Sequence, residues 1–290
     1  MSDRDYVLMT AARNERAHIA KLLRSVMAQS NPPVRWVIVS DASTDGTDEC
    51  VRAYEVDMPY VQLLRMEPHR RAQGFAAKMA ALEWAYATLQ NESWSYIGNL
   101  DADICFPARY FETLIKHLED DPAVGIGGGV IMEEKFDIFQ RRGREQDDYV
   151  SGAVQFFRRA CFEQIGGYVP ARYGGEDTIA TLKANLAGWK VRSFPDLPVF
   201  HLENGERKRG ALREMFRDGA MYQSMGSDPA YELMKCLRKA GHPPYLIGGA
   251  VRWAGYLWPL MARQRRAVDE TFVGALRQRE RGRVREMIRR

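Results

Sequence analysis

The sequence has few cysteines and no long apolar run, and each absence argues against a class of protein. Its four cysteines are scattered without a C-x-x-C pair, which argues against a disulfide framework and a zinc site and is typical of a reducing compartment. The nearest approach to a membrane-spanning segment, residues 245–262, is interrupted by Arg252 and Pro259. The chain is charged from residue 3 onward, so we expect no signal peptide and a cytoplasmic location.

The chain also lacks a large overall charge. Its formal net charge is +4, which is too small for a general nucleic-acid binder, and we expect no nucleic-acid partner. The charge is unevenly placed, because residues 263–290 carry ten arginines against four acidic residues, a net +6, while the other 262 residues carry −2. A basic tail on a near-neutral body indicates an acidic partner, either a membrane surface or a polyanion.

What the chain does have is an alternation of apolar, β-branched runs with amphipathic segments. Helical spacing predicts helices over residues 15–29 and 73–89, and from Pro107 to about residue 119. This alternation predicts an α/β fold with a doubly wound, mostly parallel sheet flanked by helices. After residue 130 the alternation loosens, and residues 206–290 are expected to form a helical, basic extension. The predicted strands cover residues 6–12, 35–40, 60–66, 95–100, 123–130, 152–157 and 190–194.

Polar residues follow three of these strands, at the edge where open α/β sheets bind ligands. The first is followed by "TAARNE" (10–15), the second ends in "VSDASTDGT" (39–47) and the fourth ends in "LDAD" (100–103). The second segment either caps the next helix or places Asp41 as an acceptor for a nucleobase or ribose. The third either forms a capping turn or aims two carboxylates at one hard cation that carries a diphosphate.

Glycine-rich motifs for nucleotides are missing from the expected place. No G-x-G-x-x-G follows the first strand, so the dinucleotide-binding fingerprint is absent there. The run "GIGGG" (125–129) comes too late in the chain and lacks the full spacing. We expect it to let a ligand or a backbone segment approach closely.

The three segments, followed by "GGED" (174–177) and a later histidine, resemble the inverting family 2 glycosyltransferases with the GT-A fold. The resemblance covers about residues 5–205. It implies a GT-A catalytic domain over 1–205, with a nucleotide-sugar half to about 105 and an acceptor half over about 106–205. It also implies a hexosyltransferase-like activity on a nucleoside-diphosphate sugar, with a UDP-sugar favoured and Mn²⁺ or Mg²⁺ as cofactor.

The resemblance also assigns roles to individual residues. Asp41 matches the aspartate that contacts the base, although Ser40 stands where many members have a first aspartate and Ala42 replaces a glycine. Asp103 and His201 match the metal ligands, and Lys78 falls near the diphosphate. The expected nucleotide-sugar contacts are Thr10, Ala11, Arg13, Asn14, Glu15, Asp41, Lys78, Asp101, Ala102 and Arg207.

A catalytic base is expected in the Glu176–Asp177 pair. Inverting transfer is a single displacement, in which an acceptor hydroxyl attacks the anomeric carbon and needs a carboxylate to take its proton. The resemblance points to Asp177 as that base, with Glu176 as its neighbour or an acceptor ligand. Both residues also suit the first turn of a helix over 178–187, and capping is compatible with catalysis.

The last third of the chain leaves two alternatives open. The loop "GERKRG" (205–210), which contains Arg207, is either a solvated charge run or a lid over the diphosphate. The aromatic and basic stretch with Trp253, Tyr256 and Trp258 packs in a core or contacts an anionic membrane. The second choice would place the enzyme peripherally on the inner face of the cell membrane, near a lipid-linked acceptor.

The sequence is compatible with three functions. The first is a metal-dependent glycosyltransferase that acts on a glycan, glycolipid or lipid-linked acceptor in cell-surface polysaccharide synthesis. The absence of a Q-x-x-R-W stretch favours the addition of one or a few sugars over polymerisation. A sugar-nucleotide nucleotidyltransferase would need a glycine-rich loop after the first strand, and "TAARNERAH" (10–18) has no glycine. A catalytically silent binding module is disfavoured by the intact Asp101, Asp103 and Asp177.

Overall fold

The computed structural model describes residues 4–67, 75–135, 138–141, 148–202, 210–240 and 245–288. It divides into two compact units. The first combines Met1–Tyr168 with Lys183–Glu203, and the second combines Val169–Leu182 with Asn204–Arg290. The expected domain boundary near residue 205 stays a prediction.

The first unit contains one mixed sheet. Among the described residues, nine strands form it in the order β3-β2-β1-β4-β8-β6-β9-β5, with β7 paired to β6. The strands are β1 (Tyr6–Ala12), β2 (Arg35–Asp41), β3 (Val61–Met66), β4 (Tyr96–Asn99), β5 (Ile104–Cys105), β6 (Val124–Lys135), β7 (Ile138–Arg141), β8 (Phe156–Arg158) and β9 (Lys190–His201).

Helices flank this sheet and build the second unit. The first unit contains α1 (Ile19–Met27), α2 (Thr47–Glu55), α3 (Phe75–Leu89), α4 (Tyr110–Asp120) and α5 (Arg159–Gln164). Helix α6 (Glu176–Leu186) begins in the second unit and ends in the first. The second unit also contains α7 (Ala211–Ser224), α8 (Pro229–Ala240), α9 (Ile247–Met261) and α10 (Glu270–Ile288).

The predicted α/β fold is confirmed, and its parallel half follows directly from the apolar runs. Strands β3, β2, β1 and β4 are parallel neighbours, and continuous apolar runs are typical of parallel strands covered on both faces. Helix α1 buries Ile19, Leu22, Leu23 and Val26, the face that the helical spacing predicts. The other half of the sheet is mixed, because β8 pairs antiparallel with both β4 and β6.

The glycine run of β6 serves the packing of the sheet rather than a ligand. A Cβ at Gly128 would lie 2.4 Å from Val150 Cγ1, and one at Gly129 would lie 2.1 Å from the Leu197 carbonyl oxygen. Between the two expected alternatives, a close approach of protein segments therefore accounts for these glycines.

The second unit is helical. Its apolar core includes Ala171, Ile179, Leu182, Met225, Phe272 and Leu276. Helices α7 and α9 come into backbone contact, since a Cβ at Gly219 would lie 1.9 Å from the Arg252 carbonyl oxygen. Within the described residues, none of the helices is long and apolar enough to cross a membrane.

Candidate active site

The first group of candidate residues lies where β1 and β2 end side by side. Register pairs Ala12 with Ser40, so the two following loops leave the same edge of the sheet. Arg13 Nη1 donates to Asp41 Oδ2 at 2.8 Å. The Asp41 side chain is only 8% exposed, whereas that of Arg13 is 56% exposed. The pair therefore joins a buried carboxylate to a solvent-exposed guanidinium group.

Hydrogen bonds between the loops fix the backbone around this pair. Asn14 adopts φ 56°, a conformation that asparagine tolerates better than most residues. Its backbone N–H donates to Ser43 Oγ at 3.1 Å, and its side-chain oxygen accepts the Thr44 N–H at 2.9 Å. The Glu15 N–H donates to Thr47 Oγ1 at 2.8 Å. The predicted contacts Asn14 and Glu15 are thus held by the "DASTDGT" segment.

The buried carboxylate of Asp48 helps to hold that segment in place. Ser40 Oγ lies 2.5 Å from Asp48 Oδ1, and Asp48 also forms an ion pair with Arg65. Arg65 Nη2 donates to the Ser43 carbonyl oxygen at 3.1 Å. Asp48 therefore provides a negative charge next to Ser40, the position at which the resemblance leads one to expect an aspartate.

Sequence reasoning missed Asp48 and Arg65. Asp48 sits in the first turn of α2, where an acidic residue looks like an ordinary helix-dipole partner. Arg65 is a charged residue inside an apolar strand, β3, and that irregularity is the signal that could have found it. Both residues line a cavity of about 300 Å³ together with Ser43, Thr44, Gly46, Glu49 and Arg52.

Asp45 anchors the turn between β2 and α2. Burial acts to raise the pKa of its carboxyl group, but hydrogen bonds from Thr47 and from the Arg16 N–H outweigh it and lower that pKa below its usual value. The Arg16 N–H donates to Asp45 Oδ2 at 2.9 Å, and Thr47 Oγ1 donates to Asp45 Oδ1 at 2.6 Å. The carboxylate is therefore ionised at neutral pH and ties both loops together.

A second group joins α3 to the end of β4. Lys78 Nζ donates to Asp101 Oδ1 at 2.7 Å, and the Asp101 N–H donates to the Ala153 carbonyl oxygen at 3.0 Å. Between the two aspartates of the motif, Ala102 is buried, at 4% exposed. Lys78 therefore forms the ion pair with Asp101 in the protein, and its ammonium group could also contact a phosphate.

The third group brings the two expected metal ligands together. Asp103 Oδ2 lies 3.3 Å from His201 Nε2, and both side chains are mostly buried. Strand β5, which the sequence does not predict, creates this approach because Ile104 pairs with His201 in the register of β5 and β9. The Leu202 N–H also donates to the Asp103 carbonyl oxygen at 2.7 Å.

A carboxylate beside an imidazole suits Mn²⁺ or Mg²⁺ only with further oxygen ligands. In the described part of the chain, no group of three or more His, Cys, Asp or Glu residues could hold a metal ion. Mg²⁺ sites commonly use one or two protein carboxylates and complete their shell with water and substrate phosphates. The donor set thus fits a metal that shares its coordination with a bound diphosphate.

The expected base lies in the second unit. Helix α6 begins at Glu176, after Gly174 and Gly175 at φ 90° each. Glu176 is buried, at 4% exposed. Asp177 Oδ1 accepts the Thr178 N–H at 2.6 Å, so the carboxylate interacts with the first turn of its own helix. The catalytic roles of both residues remain predictions.

Three predicted contacts remain, namely Thr10, Ala11 and Arg207. Thr10 is fully buried in β1, and its hydroxyl accepts the Trp36 Nε1–H at 3.0 Å, so its side chain serves the sheet. Ala11 is half-buried. Arg207 lies within residues 203–209, which are outside the described residues, so only Gly210 of its loop is described.

Comparison with protein families finds one match that covers more than half of the chain. The family described as "Glycosyl transferase family 2" matches residues 8–172. This span includes the first two groups and Asp103. None of the curated proteins compared matches the chain.

Solved structures show the same fold at low sequence identity. Mannosyltransferase PcManGT from Pyrobaculum calidifontis, in complex with GDP-Man and Mn²⁺, is 22% identical with a TM-score of 0.57, over 89% of this chain and 73% of that one. TarS 1-349 from S. aureus with UDP-GlcNAc is 14% identical with a TM-score of 0.54, over 89% and 73%. GalNAc-T7 with UDP, GalNAc and Mn²⁺ is 14% identical with a TM-score of 0.59, over 82% and 51%.

Proposed function

The chain belongs to glycosyl transferase family 2, and we propose that this glycosyltransferase moves a sugar from a nucleoside-diphosphate sugar to an acceptor hydroxyl with inversion at the anomeric carbon. One observation carries the proposal. In the three polar pairs Arg13–Asp41, Lys78–Asp101 and Asp103–His201, Arg13 follows β1, Asp41 ends β2, Asp101 follows β4 and His201 ends β9. That edge of an α/β sheet is where ligands bind.

A UDP-sugar is the favoured donor. Asp41 would accept a hydrogen bond from the base, because its carboxylate is buried and its Arg13 partner is exposed enough to move aside. Asn14 and Glu15, held by the neighbouring loop, would complete the wall around base and ribose. The solved structures with a similar fold include complexes with UDP-GlcNAc and UDP, and also one with GDP-Man.

Asp103 and His201 would hold Mn²⁺ or Mg²⁺. When bound, such an ion stabilises the negative charge that builds on a leaving diphosphate. Mn²⁺ is present in the PcManGT and GalNAc-T7 complexes, which supports the choice of a divalent cation. Lys78, which in the protein alone pairs with Asp101, would contribute a further positive charge at the diphosphate.

Asp177 would act as the general base. As the acceptor oxygen forms its bond to the anomeric carbon, Asp177 takes the hydroxyl proton, and the bond to the diphosphate oxygen breaks with its electron pair on the leaving group. The hydrogen bond from the Thr178 N–H orients the Asp177 carboxylate. Glu176 would fix the start of the helix or contact the acceptor.

The acceptor we propose is a glycan, glycolipid or lipid-linked sugar used in cell-surface polysaccharide synthesis. The basic tail supports an acceptor at an anionic surface, because residues 263–290 carry a net +6. A peripheral position on the inner face of the cell membrane would follow from that choice.

A donor screen tests the proposal directly. Nucleotide sugars are incubated with the protein and Mn²⁺, and nucleoside-diphosphate release and thermal stabilisation are recorded. We expect one donor class to be hydrolysed slowly and to raise the melting temperature, and Asp103→Asn to lose both effects. If no nucleotide sugar is hydrolysed or stabilises the protein with any divalent cation, the proposed activity is wrong.

A further inference from the structure

Helix α9 exposes a continuous apolar face. Its spacing of three or four residues places Ile247, Ala250, Ala254, Trp258 and Met261 on one side, and all five are exposed. Ile247 is 57% exposed, Trp258 48% and Met261 75%. We call these five residues the α9 apolar face. A surface helix of a soluble protein normally turns polar residues to this side.

The one charge of α9 points the other way. The Arg252 side chain is only 11% exposed, and its Nε donates to Glu232 Oε1 at 2.5 Å. Glu232 is fully buried and also binds Lys235 Nζ at 2.8 Å. This ionic cluster, together with the backbone contact at Gly219, fixes which side of α9 faces inward. The apolar face is therefore a defined surface of the folded unit.

The aromatic residues of α9 divide between the two sides. Trp253 stacks on Tyr256 with ring centroids 5.2 Å apart, and the buried Tyr256 donates its hydroxyl to the Ser227 carbonyl oxygen at 2.7 Å. These two rings belong to the packed side. Trp258 remains on the exposed side, beside Phe216 of α7 at 6.5 Å between ring centroids.

Positive charge adjoins the C-terminal end of this face. Three arginines follow the helix, Arg263, Arg265 and Arg266. Arg266 pairs with Glu270 at 3.0 Å, whereas Arg263 and Arg265 are exposed. Arg263 ends the helix at φ 48°, a left-handed position that usually selects glycine. The Gln264 N–H donates to the Pro259 carbonyl oxygen at 2.9 Å, which completes the turn. An arginine thus occupies a place where glycine would be less strained.

We propose that the α9 apolar face docks onto the surface of an anionic lipid bilayer, with Arg263 and Arg265 at the headgroups. Aromatic and aliphatic side chains on one face, with basic residues beside them, are typical of helices that lie in a membrane interface. Helix α9 has 15 residues, about 22 Å at 1.5 Å per residue, which is shorter than the hydrocarbon core of about 30 Å. The inference rests on the proposed function in one respect: the membrane surface is where the enzyme would encounter a lipid-linked acceptor.

The first test is co-sedimentation with vesicles of phosphatidylglycerol and phosphatidylcholine, compared with pure phosphatidylcholine. We expect preferential binding to the anionic vesicles and a loss of that preference in high salt, because salt screens only the charge contribution. Ile247→Gln/Met261→Gln should lower the partition coefficient at least about tenfold, since two large side chains no longer enter the interface. Val56→Gln/Leu186→Gln, which changes exposed residues of the first unit, should bind like wild type.

The charge arm uses Arg263→Gly/Arg265→Gln. Glycine suits the left-handed position, so the fold should be retained, and binding to anionic vesicles should fall roughly tenfold. The matched control is Arg24→Gln/Lys116→Gln, which removes two exposed charges from α1 and α4. Both variants are first compared with wild type by thermal unfolding.

Tryptophan quenching locates the contact. Brominated lipids should quench the fluorescence of wild type and of Trp84→Phe, which removes a 40% exposed tryptophan of α3. The quenching should be largely lost in Trp258→Phe while binding persists. Unchanged quenching in Trp258→Phe would overturn the proposed face.

Other occupants of the face give different results. If light scattering shows a dimer that Ile247→Gln/Met261→Gln converts to a monomer, a second copy covers the face and the proposal is wrong. Absence of vesicle binding by wild type would also overturn it. Donor hydrolysis in lipid-free buffer tests the catalytic proposal separately, so a protein that binds vesicles but hydrolyses no donor would contradict the function alone.

Discussion

At the scale of single residues, the contact between Asp103 and His201 allows the most direct test of metal use. Asp103→Asn keeps the side chain's shape but removes its charge, so Mn²⁺ should lose an anionic ligand. We expect UDP affinity in the presence of Mn²⁺ to fall at least about tenfold, to the value measured without the metal. Titration calorimetry with and without Mn²⁺ measures both affinities.

The chain offers a matched control for that substitution. Asp196 Oδ2 lies 2.7 Å from His117 Nε2 in a second, more exposed aspartate–histidine pair. Asp196→Asn should leave the UDP titration unchanged. Equal, metal-independent affinity in wild type and in Asp103→Asn would refute metal binding by Asp103.

The second prediction for a single residue concerns the Asp177 carboxylate as the general base. In Asp177→Asn the side-chain oxygen can still accept the Thr178 N–H, but the amide cannot take a proton from the acceptor. Transfer should fall at least about a hundredfold, the usual magnitude for general base catalysis, while donor affinity persists. Steady-state transfer rates and a donor titration separate the two effects. Near wild-type turnover would assign the base elsewhere, and Glu176→Gln would be the next variant to assay.

At the scale of elements, the Asp48–Arg65 pair links α2 to β3. Removing one partner of this pair should lower the free energy of unfolding more than removing the other. Arg65→Met leaves the Asp48 side chain, 4% exposed, without its cation, whereas Asp48→Asn leaves an Arg65 side chain that is already 43% exposed. We therefore expect the first change to cost about 2–3 kcal/mol and the second about 1 kcal/mol. Urea unfolding of both variants measures the difference, and the reverse order would contradict this reasoning.

Strand β9 shows why parts of the site were predictable and others were not. The sequence predicts a strand over 190–194. This predicted strand ends before Pro195, because proline interrupts most strands. The strand instead continues to His201. An irregularity in its pairing moves the partner of β6 from Phe194 at Gly129 to Pro198 at Val130, which accommodates the prolines. The extra residues carry His201 to β5, a two-residue strand too short to leave a periodic signal.

The residues with the clearest motifs were easier to place from sequence. Asp41, Asp101 and Asp103 follow long apolar runs, and the parallel register brings those runs to one edge. Supporting contacts such as the Lys78–Asp101 pair depend on how α3 packs on the sheet. Single-sequence patterns contain no information about such tertiary distances.

At the scale of the whole molecule, the division into units places Asp177 with the C-terminal helices. Phe272 of α10, 3% exposed, packs in the same apolar cluster as Ile179 of α6. Phe272→Ala should destabilise the second unit by about 3–5 kcal/mol. Because Asp177 belongs to that unit, transfer should fall while UDP still protects the first unit.

Hydrogen exchange can follow the two units separately. Faster exchange in α6 to α10, with unchanged UDP protection around Asp41 and Lys78, is the expected result. Val56→Ala, at a residue 86% exposed in the first unit, is the control. Equal loss of protection in both units would show that they unfold together and would contradict the prediction.

The interleaving of the units also has a consequence for synthesis. The chain leaves the first unit after Tyr168 and returns to it at Lys183, so the intervening segment emerges from the ribosome well before α10 does. Ile179 cannot pack on Phe272 or Leu276 until α10 has been translated. Domains generally form as units during synthesis, so the sheet should assemble on the nascent chain first. The helix start that contains Asp177 should be secured only after α10 has emerged, and the protein should bind its nucleotide before it becomes competent for transfer.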